Sequence, residues 1–393
     1  MSNLLSKASI LLTPTAYSDG KLHNIKPNTT TGDFTFTRAT TATRVNSSGL
    51  IESVASGLPR IDFTGGTGQI LLEPASTNLD TQSGDLSSVW SATTGATAAV
   101  ETGLTPFGVS GNIKRLSGAT NNPPSWPDNA NSLRKQFNVT ATDPASTFTF
   151  SVYIKSAGST TVNIQMRNNN TGASALSGAT TLTSDWQRVS VTLAATTTTN
   201  KMGIVIAGTD GDILLSGAQF ENSSFATSLI PTSGSTVTRN KDQANNSGDS
   251  SLINSTEGVL YAEIAALAND ETVRRISITD GTVNNRVEIA YFAASNRINV
   301  AVKVSGSDTF SSSSTAYDIT QFNKIAVKYK VNDFNLFING VEISTDTSGA
   351  VPAGLDTLNF DSGSGSFNFE GKVKSVAVFK EALTDAELIA LTS

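Results

Sequence analysis

A chain with one histidine and no cysteine has few ways to do covalent chemistry. Any Ser-His-Asp device would have to be built on His23. That residue lies in Lys21-Leu22-His23-Asn24-Ile25-Lys26-Pro27, with no Gly-x-Ser-x-Gly turn nearby, so it is expected to be a surface or loop histidine. A zinc site needs more His or Cys than the chain has. Glycoside hydrolysis asks only for two carboxylates. Here Glu257, Glu263, Glu288, Glu342 and Glu370 each stand alone on their own strand or turn, and outward-facing strand charges are the expectation. No catalytic residue is assigned, and the chain is read as a non-enzyme. Asp210-Gly211-Asp212, Asp280-Gly281, Asp308 and Asp361 offer hard oxygen ligands on turns, but none fits an Asp-x-Asp-x-Asp-Gly calcium loop with its terminal Glu, and turn chemistry explains them.

Recognition chemistry is better represented. Sugar rings stack on aromatic faces while amides, carboxylates and guanidinium groups satisfy their hydroxyls. Trp186, in a Trp-Gln-Arg-Val strand, is expected in a core, and Trp90 in a core or an interface. Trp126 differs. It lies in Asn121-Asn122-Pro123-Pro124-Ser125-Trp126-Pro127-Asp128-Asn129-Ala130-Asn131, a stretch of prolines and amides where a large ring is hard to bury. Trp126, Asn122, Asp128, Asn129 and Asn131 are therefore the candidate ligand-binding residues.

The elements that must carry these residues are strands. Thr147-Phe148-Thr149-Phe150-Ser151-Val152-Tyr153-Ile154-Lys155 alternates with period two, as do Trp186 to Leu193 and Phe369 to Phe379. Asn339-Gly340 between apolar runs predicts a hairpin. Thr384 and Glu387 predict a capping box on a short last helix. Only 15% of the 393 residues are charged, below the ~25% of average proteins, while short polar residues abound. The fold class is all-β: tandem antiparallel β-sandwiches, a jelly roll and then a second sandwich, after a loop-rich N-terminal segment. The expected divisions are 1–79 for that segment, 80–240 for the jelly roll, 241–250 for a polar linker and 251–393 for the last sandwich. In the first segment Arg38, Arg44, Glu52, Arg60, Asp62 and Glu73 interleave with apolar residues and are expected to form internal salt bridges.

The net charge of −6 lacks the basic face that nucleic acid requires and disfavours attraction to anionic lipid. No run approaches the ~20 apolar residues of a spanning helix, so membrane insertion is not expected. The run Ala8 to Leu12 is too short for a signal-peptide core, which predicts synthesis in the cytoplasm without a signal peptide.

Three stretches carry a resemblance. Gly217-Ala218-Gln219-Phe220-Glu221, followed by Ser224-Phe225-Ala226-Thr227-Ser228-Leu229-Ile230-Pro231-Thr232-Ser233-Gly234-Ser235 and Thr238-Arg239, resembles a clause that recurs in bacteriophage appendage proteins, where it ties one β-sandwich to the next part of the chain. The 80–240 module resembles carbohydrate-binding jelly rolls. The series from Gly258 to Leu388, with Asn339-Gly340 and Leu383-Thr384-Asp385-Ala386-Glu387-Leu388, resembles the laminin-G/concanavalin-A-like family. These resemblances imply a virion fibre or spike protein of tail or head. Its N-terminal segment would be attached to other virion proteins, and its sandwiches would be turned to host cell-surface glycan. They imply a homo-oligomer, a trimer being favoured, and a virion location. Family habit adds structural Ca2+; no other cofactor is expected. A purely structural decoration protein and a polysaccharide depolymerase are the alternatives.

Overall fold

The computed structural model describes residue 4 and residues 6–87, 90–126, 130–140, 146–195 and 199–393. The predicted all-β architecture is present. In the middle module one sheet runs Ser91–Ala92, Leu133–Thr140, Thr199–Gly208, Thr161–Asn168 and Ser174–Leu176, with Thr180–Thr181 beside it. The facing sheet runs Thr97–Leu104, Ser110–Ser117, Asp212–Asn222, Thr147–Ala157 and Gln187–Ala194. Phe148, Phe150, Val152 and Ile154 sit in the core between them, with Ile164, Ile204, Phe220 and Trp90. Period-two alternation places these apolar side chains on one face.

The C-terminal sandwich stacks Ser307–Ser314, Ile298–Val304, Arg286–Tyr291, Arg274–Thr279 and Thr357–Asn359 against a sheet built on Glu257–Ala266, Asn323–Lys330 and Gly371–Phe379. Asn339 (φ +49°) and Gly340 (φ +81°) make the predicted hairpin between Phe334–Ile338 and Val341–Asp346. The helix Asp385–Thr392 carries the predicted box: the Thr384 hydroxyl accepts from Glu387 N–H, and the Glu387 carboxylate accepts from Thr384 N–H.

The expected divisions need two corrections. Residues 1–79 are not separate from the last sandwich. Ile10–Leu12 and Gln69–Leu72 both pair with Gly371–Phe379, and Ile61–Asp62 extends that sheet further. Residues 241–250 are not a linker, because Gln243–Asn245 pairs antiparallel with Phe34–Thr37 and buries Ala244. The composition of that stretch is polar because its side chains bond across the fold: Asn245 Nδ2 donates to Asp361 at 2.9 Å, and the Asn359 side chain accepts from Asn246 N–H at 2.8 Å.

The 217–239 clause is where all parts meet. Val237–Arg239 pairs with Ser76–Asn78. Gln219 Nε2 donates to Glu221 at 2.6 Å, while Gln219 Oε1 accepts from Ile230 N–H at 2.6 Å. Glu221 also accepts from the Thr227 and Ser76 hydroxyls, at 2.5 and 2.6 Å. Beside this lies a buried ion network. Arg60 bridges Glu73 (2.7 Å) and Asp242, Arg239 lies 3.1 Å from Glu73, and Arg38 lies 2.9 Å from Asp242. No side chain of the five is more than 3% exposed. Further guanidinium N–H groups donate to the carbonyls of Thr43, Ala55 and Pro74, while the buried Nε atoms of Arg60 and Arg239 have no hydrogen-bond partner among the described residues. Charges this deep are tolerated only when paired and hydrogen-bonded. Of the salt bridges expected within the N-terminal segment, Arg60 with Glu73 and Arg44 with Glu52 form, whereas Arg38 pairs outside it with Asp242. Asp62 instead accepts backbone N–H bonds from Val45 and Thr64, at 2.8 and 2.9 Å.

Burial alone would raise the Glu73 carboxyl, but Arg239 and Arg60, with the Ser228 hydrogen bonds, hold it down at about 2. A depressed carboxylate contributes stability that is complete above its unfolded value near 4.5 and is lost as pH falls toward 2. The full shift corresponds to roughly 3 kcal/mol. Stability is therefore expected to drop between pH 4.5 and 2, measured as denaturant midpoint against pH. A Glu73→Gln protein should start lower and show a flatter slope; an unchanged slope would contradict the assignment.

Candidate functional site

The outer face of the six-stranded sheet in the middle module is polar, and one residue on it makes the site. Gly203 lies in a cross-strand row between Gln136 and Arg167. A Cβ at Gly203 would come within 2.8 Å of Cδ2 and 2.9 Å of Cε3 of Trp126, so the indole lies directly on the glycine. A side chain on that strand position would lift the ring off the sheet. Trp126 N–H donates to Gln165 Oε1 at 2.7 Å, and the Arg134 guanidinium stands 5.7 Å from the ring centroid. The indole remains half-buried. Around it Gln136, Asn138 and Lys201 are exposed. The Arg167 guanidinium and the Lys201 ammonium make no hydrogen bond or ion pair among the described residues. An aromatic surface bordered by amides and unengaged cations can pack a sugar ring and donate to its oxygens.

The predicted site residues separate in the structure. Trp126 takes its place on this face. Asn122 instead donates to the Thr161 hydroxyl at 3.2 Å. Asn131 (φ +58°) donates to the Thr120 hydroxyl at 3.3 Å, and its N–H donates to Thr94 O at 2.8 Å. These two asparagines brace the loop that carries the tryptophan. Asp128 and Asn129 lie outside the described residues. Sequence reasoning missed Gln136, Arg167 and Lys201; the signal was present, since these polar residues alternate with core residues on their strands.

Two tryptophan expectations resolve differently. Trp90 is in the core, its Nε1 donating to Asp80 at 2.9 Å. Trp186 is not. It is half-buried at the sheet end, donates to Leu104 O at 3.0 Å and carries the Lys155 ammonium 4.8 Å from its ring centroid. Its strand pairing begins at Gln187, so the ring falls outside the alternating core positions.

His23 does more than the sequence suggests. Ser18 Oγ lies 2.8 Å from His23 Nε2, and His23 Nδ1 lies 2.9 Å from Asp33 Oδ2. Asp33 is buried and also accepts from Asn24 N–H at 3.0 Å. The order is that of a nucleophile, base and carboxylate. The adjoining cavity of about 420 Å3 is lined by His23 and Asp33 but not by Ser18, which is exposed on the Tyr17–Ser18 hairpin. The array forms a polar bridge from the hairpin to the buried Asp33.

The turn aspartates are engaged locally. Asp280 accepts from Thr282 and Asn285, Asp210 from Thr160 and Thr209, and Asp361 from Gly363 and Asn245. Among the described residues no group of three or more His, Cys, Asp or Glu side chains is gathered that could hold a metal ion. Glu257, Glu263 and Glu342 face Lys330, Lys374 and Asn335. Glu288 departs from the expected solvent-facing charge: it is buried between Arg275 and Arg286, at 3.4 and 2.7 Å.

No curated protein matches the chain. The CBM40 module of the Ruminococcus gnavus IT-sialidase, bound to α2,3-sialyllactose, is similar over 36% of this chain and 84% of its own, at 18% identity and a TM-score of 0.32. Domain 4 of AbnA, a GH43 extracellular arabinanase from Geobacillus stearothermophilus, in complex with arabinotriose, is similar over 39% of this chain and 73% of its own, at 14% identity and a TM-score of 0.32. Domains LG4-5 of the mouse laminin α1 chain are similar over 63% of this chain and 90% of their own, at 9% identity and a TM-score of 0.24. Residues 239–389 match the model of the concanavalin A-like lectin/glucanases superfamily in its laminin-G form, and the C-terminal sandwich is a concanavalin A-like module.

Proposed function

We propose that this protein binds glycan without cleaving it, on the surface of a bacteriophage particle. The observation that carries glycan binding is the half-buried Trp126 ring seated on Gly203, within a polar sheet face whose Arg167 and Lys201 are unengaged. The lectin-containing family matched by the C-terminal module supports the same reading. The virion setting rests on the residues of the 217–239 clause, and a trimeric fibre or spike, joined to other virion proteins, is the assembly proposed with it. Several weak sites on one oligomer would gain avidity without new contacts. A decoration role without sugar binding is the second reading. It is favoured by the hairpin joining Thr97–Leu104 and Ser110–Ser117, which exposes Val100, Leu104 and Val109.

One experiment addresses binding and catalysis together. Purified protein is incubated with polysaccharide from candidate hosts, and retention and new reducing ends are followed in the same tubes. Retention without release is expected. A fluorophosphonate probe is expected to leave Ser18 unlabelled. Release of reducing ends, or Ser18 labelling abolished by His23→Gln, would make the protein an enzyme. Absence of retention would favour decoration.

A further inference from the structure

A cleft of about 670 Å3 opens where both sandwiches meet the N-terminal strands. That volume suits a small ligand. Tyr153, Trp186 and Phe63 supply its aromatic surface. The backbone places Tyr153 deliberately. Ser151 faces Gln219 but Tyr153 faces Ser216, so the Asp212–Asn222 strand carries an extra residue, with Gly217 at φ +65°. Such a bulge re-aims neighbouring side chains. A Cβ at Gly217 would come within 3.0 Å of the Tyr153 ring, so glycine is required twice over.

The polar groups of the cleft are unbalanced. Its carboxylates are engaged: Asp62 by two backbone N–H groups, Glu73 by Arg60, Arg239 and Ser228. Its donors are not. The Tyr153 hydroxyl and the Lys372 ammonium have no partner among the described residues. Arg188 donates to Thr227 O and Ser151 Oγ, at 2.5 and 2.9 Å, and its buried Nε has no partner. Burial pushes the Tyr153 phenol up, so it is a protonated donor at neutral pH. A ligand here must bring apolar faces for the rings and acceptors, one of them charged, for the donors.

We infer that this cleft is a second saccharide site, selective for a sugar bearing a carboxylate, with that group at Lys372 and the sugar ring against Tyr153 and Trp186. It is separate from the Trp126 face and does not depend on it. The test uses the full chain and saturation-transfer NMR titration with D-glucuronate, D-galacturonate and N-acetylneuraminate, with methyl glucoside as the neutral control. At least one acidic sugar should bind more tightly than the control. That binding should weaken about tenfold in Lys372→Met, which loses one charged hydrogen bond. It should stay within about threefold in Lys372→Arg, which keeps the charge, and should be unaffected by Trp126→Ala. Lys372 has no partner to lose, so the Met variant should melt like the parent. No preference for any acidic sugar, binding that survives Lys372→Met, or binding abolished by Trp126→Ala would each overturn the inference. Loss of neutral-glycan retention in Trp126→Ala would leave it standing.

Discussion

Asp242→Ala is expected to cost about 3–5 kcal/mol of stability, the usual result of removing one partner from a buried ionic group. Asp242 is fully buried and holds two arginines: Arg38 at 2.9 Å through Oδ1, and Arg60 through Oδ2. Oδ2 also accepts from Glu73 N–H at 2.9 Å, and Arg239 stands 3.8 Å away. Its loss leaves three buried guanidinium groups sharing the Glu73 carboxylate and a few carbonyls. The damage should spread, because the network joins Phe34–Thr37 and its neighbours to the clause that leaves the middle module. Thermal unfolding of the parent should be one transition; in Asp242→Ala the middle module should melt separately from the rest. Asp242→Asn keeps the shape but not the charge and should fall between the two. A variant that melts as a single unit within about 1 kcal/mol of the parent would show that the network does not bind the parts together.

The second large effect concerns recognition. Trp126→Ala removes an aromatic surface worth about 0.5–1.5 kcal/mol per stacked contact beyond its buried area. A single site should weaken by about tenfold, and an oligomer by more, because avidity multiplies the loss. The fold should survive, since the ring rests on the outer face and not in the core. Gly203→Val provides an independent route to the same end. It leaves the indole in the chain but displaces it, because a Cβ there meets the ring at 2.8 Å.

How far these elements were legible depended on the range of the interactions involved. Alternation in Thr147–Ala157, the Asn339-Gly340 turn and the Thr384 cap are local, and period and turn chemistry disclosed them. The joining of Ile10–Leu12 to Val376–Val378 spans the whole chain, and no local pattern encodes a partner more than 360 residues away. The polar stretch at 241–250 misled for the same reason: its amides bond to Asn359 and Asp361, which composition does not reveal. Among the candidate residues Trp126 stood out in the sequence because prolines and amides surround it. Gly203 was not, since nothing in a strand glycine announces the ring that will cover it. The contact of Ser18 and Asp33 with His23 likewise depends on a hairpin and a distant strand entry brought together by folding.

The most direct test of glycan binding by the Trp126 face compares the parent, Trp126→Ala and Gly203→Val for retention on immobilised host polysaccharide, each variant first shown to melt like the parent. The proposal predicts parent retention weakened about tenfold or more by both substitutions. Equal retention by all three proteins would contradict it.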